Sequence, residues 1–361
     1  MATMESLSHT QETTEEFGER LLGVINASGL SMMLSIGHRT GLWDAMSQMD
    51  PATSTEIAAR TGLQERYVRE WLGAMVTGKV VDYDAATQQY WLPAHRAALL
   101  TRAGAPSNMA ATMQWISVLG SVEDEVVERF QQGGGVHYCR FKRFHEVMAE
   151  ESNQSTVGGL FEHILPLVDG LQARLEEGIE VLDVGCGRGR AMIALAERFP
   201  HSQFTGYDFS EEAIEAATRE AAAKNLANIR FAVRDAAKID DHRQYDLITA
   251  FDAIHDQARP DLVLANIARA LLDGGVFLMQ DITASSYVEK NIDHPLGPFL
   301  YTISTMHCMT VSLASGGMGL GTAWGEELAC KMLKNAGFSL PEVKRLPHDI
   351  MNSYYIVRLA E

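Results

Sequence analysis

The stretch that decides the fold lies in the middle of the chain and reads Glu180-Val181-Leu182-Asp183-Val184-Gly185-Cys186-Gly187-Arg188-Gly189. Its apolar first half predicts a buried strand, and the alternating glycines after it predict a tight turn that leads into a helix. Glycine allows such a turn and lets a ligand approach the backbone closely. Because ligands of doubly wound sheets bind at the carboxyl ends of the strands, we expect this loop to belong to a binding site.

Strand and helix patterns alternate from about residue 179 to the end of the chain. This alternation predicts a parallel sheet with helices on both faces, which is an α/β doubly wound fold. We also expect a last helix at Glu326–Ala336 and a strand at Ser353–Leu359 that closes the sheet edge. The other predicted strands are Glu180–Val184, Gln203–Tyr207, Ile229–Val233, Tyr245–Ala250 and Val276–Asp281, and the predicted helices between them are Ala191–Arg198, Glu211–Lys224 and Asp261–Leu272.

The spacing of the glycines separates two classes of cofactor. A dinucleotide-binding fingerprint reads G-x-G-x-x-G, whereas the glycines here read G-x-G-x-G and Asp183 lies two residues before the first of them. This form resembles motif I of the class I S-adenosylmethionine (SAM)-dependent methyltransferases. The resemblance implies a Rossmann-like methyltransferase domain with SAM as its cofactor. A carboxylate at Asp183 suits the cationic amino group of that ligand.

Four further segments lie where the resemblance predicts them. Asp208 ends the second strand and can accept hydrogen bonds from both ribose hydroxyls, and Phe209 after it can stack on the adenine. In the family, an acid at the position of Asp235 receives the adenine amino group, and the exit of the fourth strand faces the methyl donor. The turn at residues 271–275 is similar to the family's L-x-P-G-G turn, with Asp273 in place of proline. The resemblance therefore implies a cofactor site made of Asp183, Gly185, Cys186, Gly187, Gly189, Asp208, Phe209, Asp235, Ala236 and Phe251.

The region before the sheet has the rhythm of a winged helix. A capping box of Thr53 and Glu56 opens a short helix, Gln64–Thr77 follows as a second helix, and a β-hairpin ends near Leu92. Between residues 54 and 82, four Lys and Arg residues stand against four Asp and Glu residues, a net charge of 4 − 4 = 0. A neutral second helix argues against reading DNA in the major groove. With this module included, the whole chain resembles bacterial small-molecule methyltransferases, and the resemblance implies a homodimer formed through the N-terminal part.

Composition limits the class of protein and its partners. The 361 residues are 46% hydrophobic, which excludes a mainly disordered chain. The net charge is 30 − 47 = −17, which argues against binding to nucleic acid or to an anionic membrane. We expect no secretory signal, no transmembrane helix and no disulfide framework, so the predicted location is cytoplasmic.

The predicted domain organisation follows from these patterns. Within the first domain we expect the helices to break near Gly29 and Gly41. The end of that domain is predicted only to lie between Gly133 and Gly178. The segments are a mobile tail at 1–14, a helical winged-helix dimerisation domain at 15–135, connecting helices at 136–178, and a SAM-binding domain at 179–361 with a substrate-roof insert at 284–322.

Two histidines are candidate bases for methyl transfer, which is an in-line displacement that needs a positioned nucleophile and little water. His255, just past the fourth strand, is the first candidate, with Asp252 or Asp256 to orient it. The alternative is a histidine that lines the cofactor pocket. His307 is the second candidate and lies in the insert, whose apolar and Met-rich character favours a greasy or aromatic acceptor. The His and Cys spacings are not typical of a metal site.

The leading hypothesis is a SAM-dependent methyltransferase that acts on O, N, S or C of a small, partly apolar molecule. A second hypothesis is a regulatory or binding protein with a methyltransferase fold, in which the winged helix carries the function. A third is a nicotinamide-dependent oxidoreductase on the same type of sheet. The glycine spacing and Asp183 argue against this third hypothesis.

Overall fold

The computed structural model describes residues 12–347 and 349–360. The chain divides into two compact units. The first contains residues up to Gly104 together with Asn108–Ile116, and the second contains Ala105–Ser107 and the chain from Ser117 onward. Residues 117–178, which the sequence analysis divided between the first domain and the connecting helices, pack with the second unit. The predicted tail at 1–14 falls largely outside the described residues.

The first unit is a winged helix, as the sequence predicts. The expected capping box is present, because the Thr53 side chain accepts from the Glu56 N–H and the Glu56 carboxylate accepts from the Thr53 N–H. The Trp43 and Trp71 rings meet in its core with centroids 4.7 Å apart. Its elements are α1 (Thr14–Arg39), α2 (Leu42–Met46), α3 (Ser54–Thr61), α4 (Glu65–Thr77), β1 (Asp82–Asp84), β2 (Gln89–Trp91), α5 (Ala94–Leu100) and α6 (Met109–Thr112).

The prediction of a helix break near Gly29 is wrong, because α1 is continuous for 26 residues. A glycine inside a helix costs only about 1 kcal/mol relative to alanine, and a capping box of Thr13 and Glu16 stabilises the first turn. The predicted break near Gly41 is present, and the φ of Gly41 is 73°. By length and composition alone, α1 is able to cross a membrane, which differs from the prediction of no transmembrane helix. In the apolar part of α1 that meets this test, 17% of the residues are buried.

The second unit is built around a seven-stranded sheet. Its elements, in chain order, are α7 (Gln114–Gly120), α8 (Glu123–Gln132), α9 (Phe144–Ser152), α10 (Leu171–Glu177), β3 (Glu180–Val184), α11 (Arg190–Arg198), β4 (Gln203–Asp208), α12 (Glu211–Ala223), β5 (Ile229–Val233), β6 (Tyr245–Phe251), α13 (Pro260–Ala270), β7 (Leu271–Ile282), α14 (Gly297–Ile303), α15 (Met309–Ala314), α16 (Gly325–Asn335), β8 (Glu342–Leu346) and β9 (Asp349–Val357). The strand order is β5-β4-β3-β6-β7-β9-β8. The first five strands pair in parallel, as predicted.

The prediction that the last strand closes the sheet edge is wrong. β9 lies between β7 and β8 and is antiparallel to both, so the edge strand is β8. β8 carries Glu342, Lys344 and Arg345 within five residues, and this charge hid it from a search for apolar patterns. Charged side chains are a common way to keep an edge strand from pairing with another chain.

Both faces of the sheet are buried. α13 and α16 cover one face, on which Ile248 and Phe277 lie, and α10 and α11 cover the other, on which Leu247 and Leu278 lie. This burial explains why the strands read as nearly continuous apolar runs. The polar side chains at the carboxyl ends of β3, β4, β6 and β7 are therefore the ones available for chemistry.

Candidate active site

The glycine loop after β3 takes a backbone conformation that suits glycine alone at three positions. Gly185, Gly187 and Gly189 have φ values of 75°, 53° and 68°. A Cβ on Gly185 would lie 2.4 Å from the Ala253 side chain, and one on Gly189 would lie 2.4 Å from the Phe231 ring. A Cβ on Gly187 would meet no atom within 4 Å among the described residues. The loop thus packs tightly on both sides and leaves open space at its centre.

Asp208 joins the end of β4 to this loop. Its Oδ2 accepts from the Gly187 N–H at 2.9 Å and its Oδ1 accepts from the Ser210 N–H at 2.9 Å. Burial raises the pKa of Asp208, and the backbone donors partly oppose that shift. Phe209, the next residue, exposes 52% of its surface, which is unusual for a phenylalanine beside a buried strand. An acid and an exposed aromatic ring therefore stand together next to the open centre of the loop.

Asp183 lies deeper than its predicted role requires. It is 3% exposed, and its Oδ1 accepts from the Thr249 hydroxyl at 2.7 Å across the junction of β3 and β6. Burial raises the pKa of Asp183 to about 7, although the Thr249 hydroxyl favours the charged form. Contact between Asp183 and a cofactor stays a prediction.

The two remaining loop residues of the predicted set have local partners. Asp235 accepts from the Ala237 N–H at 3.0 Å, just past Ala236, and from the Lys238 ammonium at 2.8 Å, and this ion pair lowers the pKa of Asp235. The Cys186 thiol is half-buried, and burial raises its pKa, unlike the lowered pKa of a nucleophilic cysteine.

His255 lies against Asp281, which sequence analysis did not connect with it. The His255 Nδ1 is 2.8 Å from the Asp281 Oδ1, and the Trp324 indole N–H donates to the same oxygen at 3.0 Å. The orienting group is thus Asp281 of β7 and not Asp252 or Asp256, because β7 is the neighbour of β6 in the sheet.

The pair of His255 and Asp281 is almost fully buried, with exposures of 4% and 0%. Burial by itself lowers the pKa of His255, but the Asp281 carboxylate and the nearby Cys308 thiol outweigh it, so the pKa is raised well above 6.5. With Nδ1–H held by a carboxylate, Nε2 is the nitrogen left to exchange a proton.

His307 lies in a cluster of aromatic rings. Its ring stacks on the Phe144 ring with centroids 4.1 Å apart. The rings of Tyr138 and Phe141 pack edge-on against it, with centroids 5.1 and 4.7 Å from the His307 centroid. We call these four residues the aromatic cluster. Burial lowers the pKa of His307 to about 3, and its Nε2 is buried without a hydrogen-bond partner in the described part of the chain. Tyr138 also contacts the Phe209 ring, with centroids 5.5 Å apart, so the cluster adjoins the Asp208 end of the site.

The side chains at this edge of the sheet fit a cationic ligand that carries hydroxyl groups and an aromatic base. The pKa of Asp256 is raised to about 6, chiefly by burial, as the pKa values of Asp183 and Asp208 are also raised. Burial disfavours these carboxylates when charged, so a positive charge among them would be stabilised. Across residues 12–347 and 349–360, no group of three or more His, Cys, Asp or Glu side chains is arranged to hold a metal ion.

Two family models match the chain. Residues 28–102 match an Rv2258c-like winged HTH domain, and residues 175–310 match a methyltransferase domain. The chain therefore carries a methyltransferase domain and is similar to SAM-dependent methyltransferases. The second match covers the glycine loop, Asp208, His255 and His307, whereas the rings that surround His307, and Trp324, lie outside it.

Proteins that are similar to this chain agree with the match to a methyltransferase domain. The chain is similar to the fatty-acid O-methyltransferase of Mycolicibacterium smegmatis. The two are 33% identical over 106 residues, which are 29% of this chain and 38% of the relative. The fold is similar to that of human N-acetylserotonin methyltransferase in complex with SAM, with 16% identity, a TM-score of 0.69 and coverage of 98% and 100% of the two chains. It is also similar to a candidate O-methyltransferase of Nostoc punctiforme PCC 73102, with 20% identity, a TM-score of 0.69 and coverage of 94% and 98%. The matches span between 5% and 55% of the length of the curated relatives.

Proposed function

We propose that this methyltransferase transfers the methyl group of SAM to an oxygen atom of a small, partly apolar acceptor. The observation that carries the proposal is the buried pair of His255 and Asp281 beside the glycine loop. Thiolates, amines and carboxylates can accept a methyl group when they are merely positioned, whereas an alcohol or a phenol must lose a proton. A histidine held at Nδ1 by a carboxylate is suited to remove it.

The cofactor would lie across the carboxyl ends of β3 and β4. Gly185, Gly187 and Gly189 would allow its close approach, Asp208 would accept from the ribose hydroxyls, and Phe209 would cover the adenine. When bound, SAM supplies an electrophilic methyl group on a positively charged sulfur. The Ala253 methyl group packs against Gly185, and this contact keeps the segment that carries His255 beside the loop.

The proton of the acceptor would pass to Nε2 of His255. Because the pKa of His255 is raised, the neutral imidazole that can act as a base becomes the main form only at a higher pH than for an ordinary histidine. The rate should therefore rise with pH through a pKa above 6.5. Asp281 would keep the ring in one orientation and stabilise the imidazolium that forms, as a carboxylate does beside a general-base histidine.

The acceptor would lie on the aromatic cluster. Apolar walls with a few polar groups are typical of small-molecule sites, and flat rings around His307 suit a planar or apolar acceptor. A histidine with a pKa of about 3 is neutral at physiological pH and a weak base, so we propose that His307 lines the pocket. O-methylation of a fatty acid by the mycolicibacterial relative is consistent with an apolar acceptor.

Calorimetric titration with SAM, S-adenosylhomocysteine and NADH tests the cofactor. We expect binding of the first two only, and weaker binding by Asp208→Ala. Assays of S-adenosylhomocysteine release with phenols, carboxylic acids, thiols and amines then test the acceptor. His255→Asn should abolish turnover of phenols, which must lose a proton, whereas His201→Asn, which removes an exposed histidine bonded to the Glu176 carbonyl, should not. Equal turnover by His255→Asn would refute the role of His255 as base.

We further propose that the methyltransferase forms a homodimer through α1. Leu22 and Ile25 of this helix are 62% and 67% exposed, and five other large apolar side chains of α1 are exposed by more than a third. A second copy of the chain could cover this surface, which is large for one helix of a monomer. Light scattering should show a dimer that Ile25→Glu converts to a monomer; binding of the wild-type chain to lipid vesicles instead would indicate a membrane-associated α1.

The regulatory alternative is not favoured. On α4, which would be the recognition helix, Arg66 pairs with Glu70 and Arg69 pairs with Glu65. These ion pairs leave little positive charge for phosphate contacts. Selection of bound sequences from a random DNA pool should therefore recover no consensus.

A further inference from the structure

Asp252 joins the end of β6 to β7 by two hydrogen bonds. Asp252, the first residue after β6, has a φ of 52°, a left-handed conformation that is uncommon for a non-glycine residue. Its N–H donates to the Gln280 carbonyl at 3.0 Å, and its Oδ2 accepts from the Gln280 Nε2 at 3.0 Å. A strained backbone that is held by side-chain contacts is a common sign of a functional position.

Each of the two side chains has one acceptor atom left over. The Asp252 Oδ1 and the Gln280 Oε1 are both buried and both lack a donor among residues 12–347 and 349–360. Gln280 is 1% exposed, so water does not readily reach its amide. Two buried acceptors without donors are unfavourable, because each loses its hydrogen bonds to water when the chain folds. The cost disappears if one of them carries a hydrogen atom that the other accepts.

We propose that Asp252 is a neutral carboxylic acid paired with the Gln280 carboxamide. The proton sits on Oδ1 and is donated to Oε1, while Nε2 donates to Oδ2. The two side chains then form a ring of two hydrogen bonds, and every polar atom in it is satisfied. One hydrogen bond of this ring is the contact of 3.0 Å already described.

The surroundings of Asp252 favour its neutral form. Burial is the largest effect, and the carboxylates of Asp281, Asp349 and Glu151 add to it. His255 is the opposing group and favours the charged form. Burial and the carboxylates outweigh His255, so the pKa of Asp252 is raised well above its ordinary value of 3.8. The geometry and the electrostatics therefore point to the same protonation state.

The pair makes Asp252 and Gln280 positioning residues for His255. Asp252 directs the chain toward Ala253, which packs on Gly185, and His255 follows two residues later. Gln280 immediately precedes Asp281, the partner of His255. The acid–amide pair thus sets the spacing between the strand end that carries the histidine and the strand that carries its carboxylate. This consequence rests on the proposed function, whereas the pairing itself does not.

Infrared spectroscopy of the full chain tests the pairing without reference to activity. A protonated carboxyl group gives a C=O band that a carboxylate lacks. Asp183, whose pKa is about 7, contributes a band of its own at neutral pH, so the test is the difference between the spectra of wild type and variant. We expect Asp252→Asn to remove part of the band and Asp349→Asn to leave it unchanged. A neutral-pH spectrum in which Asp252→Asn removes only a carboxylate band would overturn the proposal.

Kinetics test the positioning role. Asp252→Asn can form an amide–amide pair with the same two hydrogen bonds, so we expect kcat and its pH profile within about twofold of wild type. Gln280→Leu and Asp252→Leu cannot form these hydrogen bonds. For both we expect kcat to fall at least about tenfold with little change in KM, together with a shifted pH profile. Asn352→Leu, which removes a buried amide of β9, controls for the loss of a buried polar group.

The main competing reading is that an ionised Asp252 binds an ammonium group of a ligand. Asp252→Asn would then weaken the binding of SAM or of an amine acceptor at least about tenfold. Methylthioadenosine, which lacks the amino acid part of SAM, would separate the two sources. If Asp252 held the ammonium of SAM, Asp252→Asn would weaken SAM binding and leave methylthioadenosine binding unchanged; if it held the ammonium of an amine acceptor, only the acceptor would bind more weakly. Either loss of affinity would overturn the neutral pair, and the thermal melting of each variant would show whether it is folded.

Discussion

Replacing Asp281 with asparagine should disturb the His255 site in a manner that depends on pH. Asp281 is fully buried, and its Oδ1 accepts from His255, from the Trp324 indole and from the Ile282 N–H. Asparagine has the same shape and can keep the last two contacts, but it carries no charge. The variant therefore removes the ion pair and leaves the packing in place.

The magnitude follows from the raised pKa of His255. A group whose pKa is higher in the folded than in the unfolded chain contributes stability that is fully present below its unfolded value, here about 6.5, and is lost as the pH rises through the folded value. Each unit of that shift corresponds to about 1.4 kcal/mol. We expect Asp281→Asn to lower the free energy of unfolding by about 3 kcal/mol in mildly acidic solution, where a buried charge would lose its partner. In alkaline solution the loss should fall to about 1 kcal/mol, the contribution of a neutral hydrogen bond.

Urea denaturation of both proteins between pH 5.5 and 9.5 measures this difference. The matched control is Asp349→Asn, because Asp349 also accepts several hydrogen bonds, including one of 2.6 Å from Tyr354, and accepts none from a histidine of residues 12–347. Its effect should not follow the titration of His255. The same Asp281→Asn protein should lose about 10²–10⁴ in kcat, the usual contribution of a general base. An effect on stability that is equal across this pH range would refute the ion pair.

Three further predictions concern the cofactor side of the site. Gly187→Ala should weaken SAM binding and cost about 1–2 kcal/mol of stability, because the new Cβ meets open space but the residue must keep a positive φ. Gly189→Ala should destabilise the fold more, because its Cβ would collide with the Phe231 ring. Differential scanning calorimetry of the two variants measures this difference. Phe209→Ala should change the melting temperature little and weaken SAM binding by about 1 kcal/mol, measured calorimetrically, because half of the residue is exposed and its edge-on contact with Tyr138 is a small loss. Binding of SAM, but not of S-adenosylhomocysteine, which lacks the sulfonium charge, should lower the pKa of His255 in an NMR titration, because a nearby positive charge disfavours the imidazolium.

The fold was largely predictable because its strands are buried on both faces. β3 and β5 begin and end at the predicted residues, and the winged helix is present. The errors fall where tertiary structure overrides a local rule. β8 is charged because it lies at an edge of the sheet. α1 continues through Gly29 because the free-energy cost of one glycine is smaller than the stability that a long, capped helix provides.

The candidate site was predictable where its residues are close in sequence. The glycine loop and Asp208 belong to short motifs at strand ends, and each was found from its own segment. Asp281 and Trp324 were missed as neighbours of His255 because Asp281 is 26 residues from His255 in the sequence and Trp324 is a further 43 residues from Asp281. Strand order brings them together, and a single sequence does not specify which strands are neighbours. The rings around His307 come from α9 and the segment before it, for the same reason.

The intrinsic fluorescence of Trp324 can report on the candidate site. The chain has five tryptophans, and the other four lie in the first unit, so the second unit contains one indole and it donates to the carboxylate that holds His255. Trp324 is only 3% exposed, so its emission should respond to the charge beside it rather than to solvent. If the four N-terminal tryptophans are replaced by phenylalanine, steady-state fluorescence would follow the protonation of His255 during turnover, without any added label.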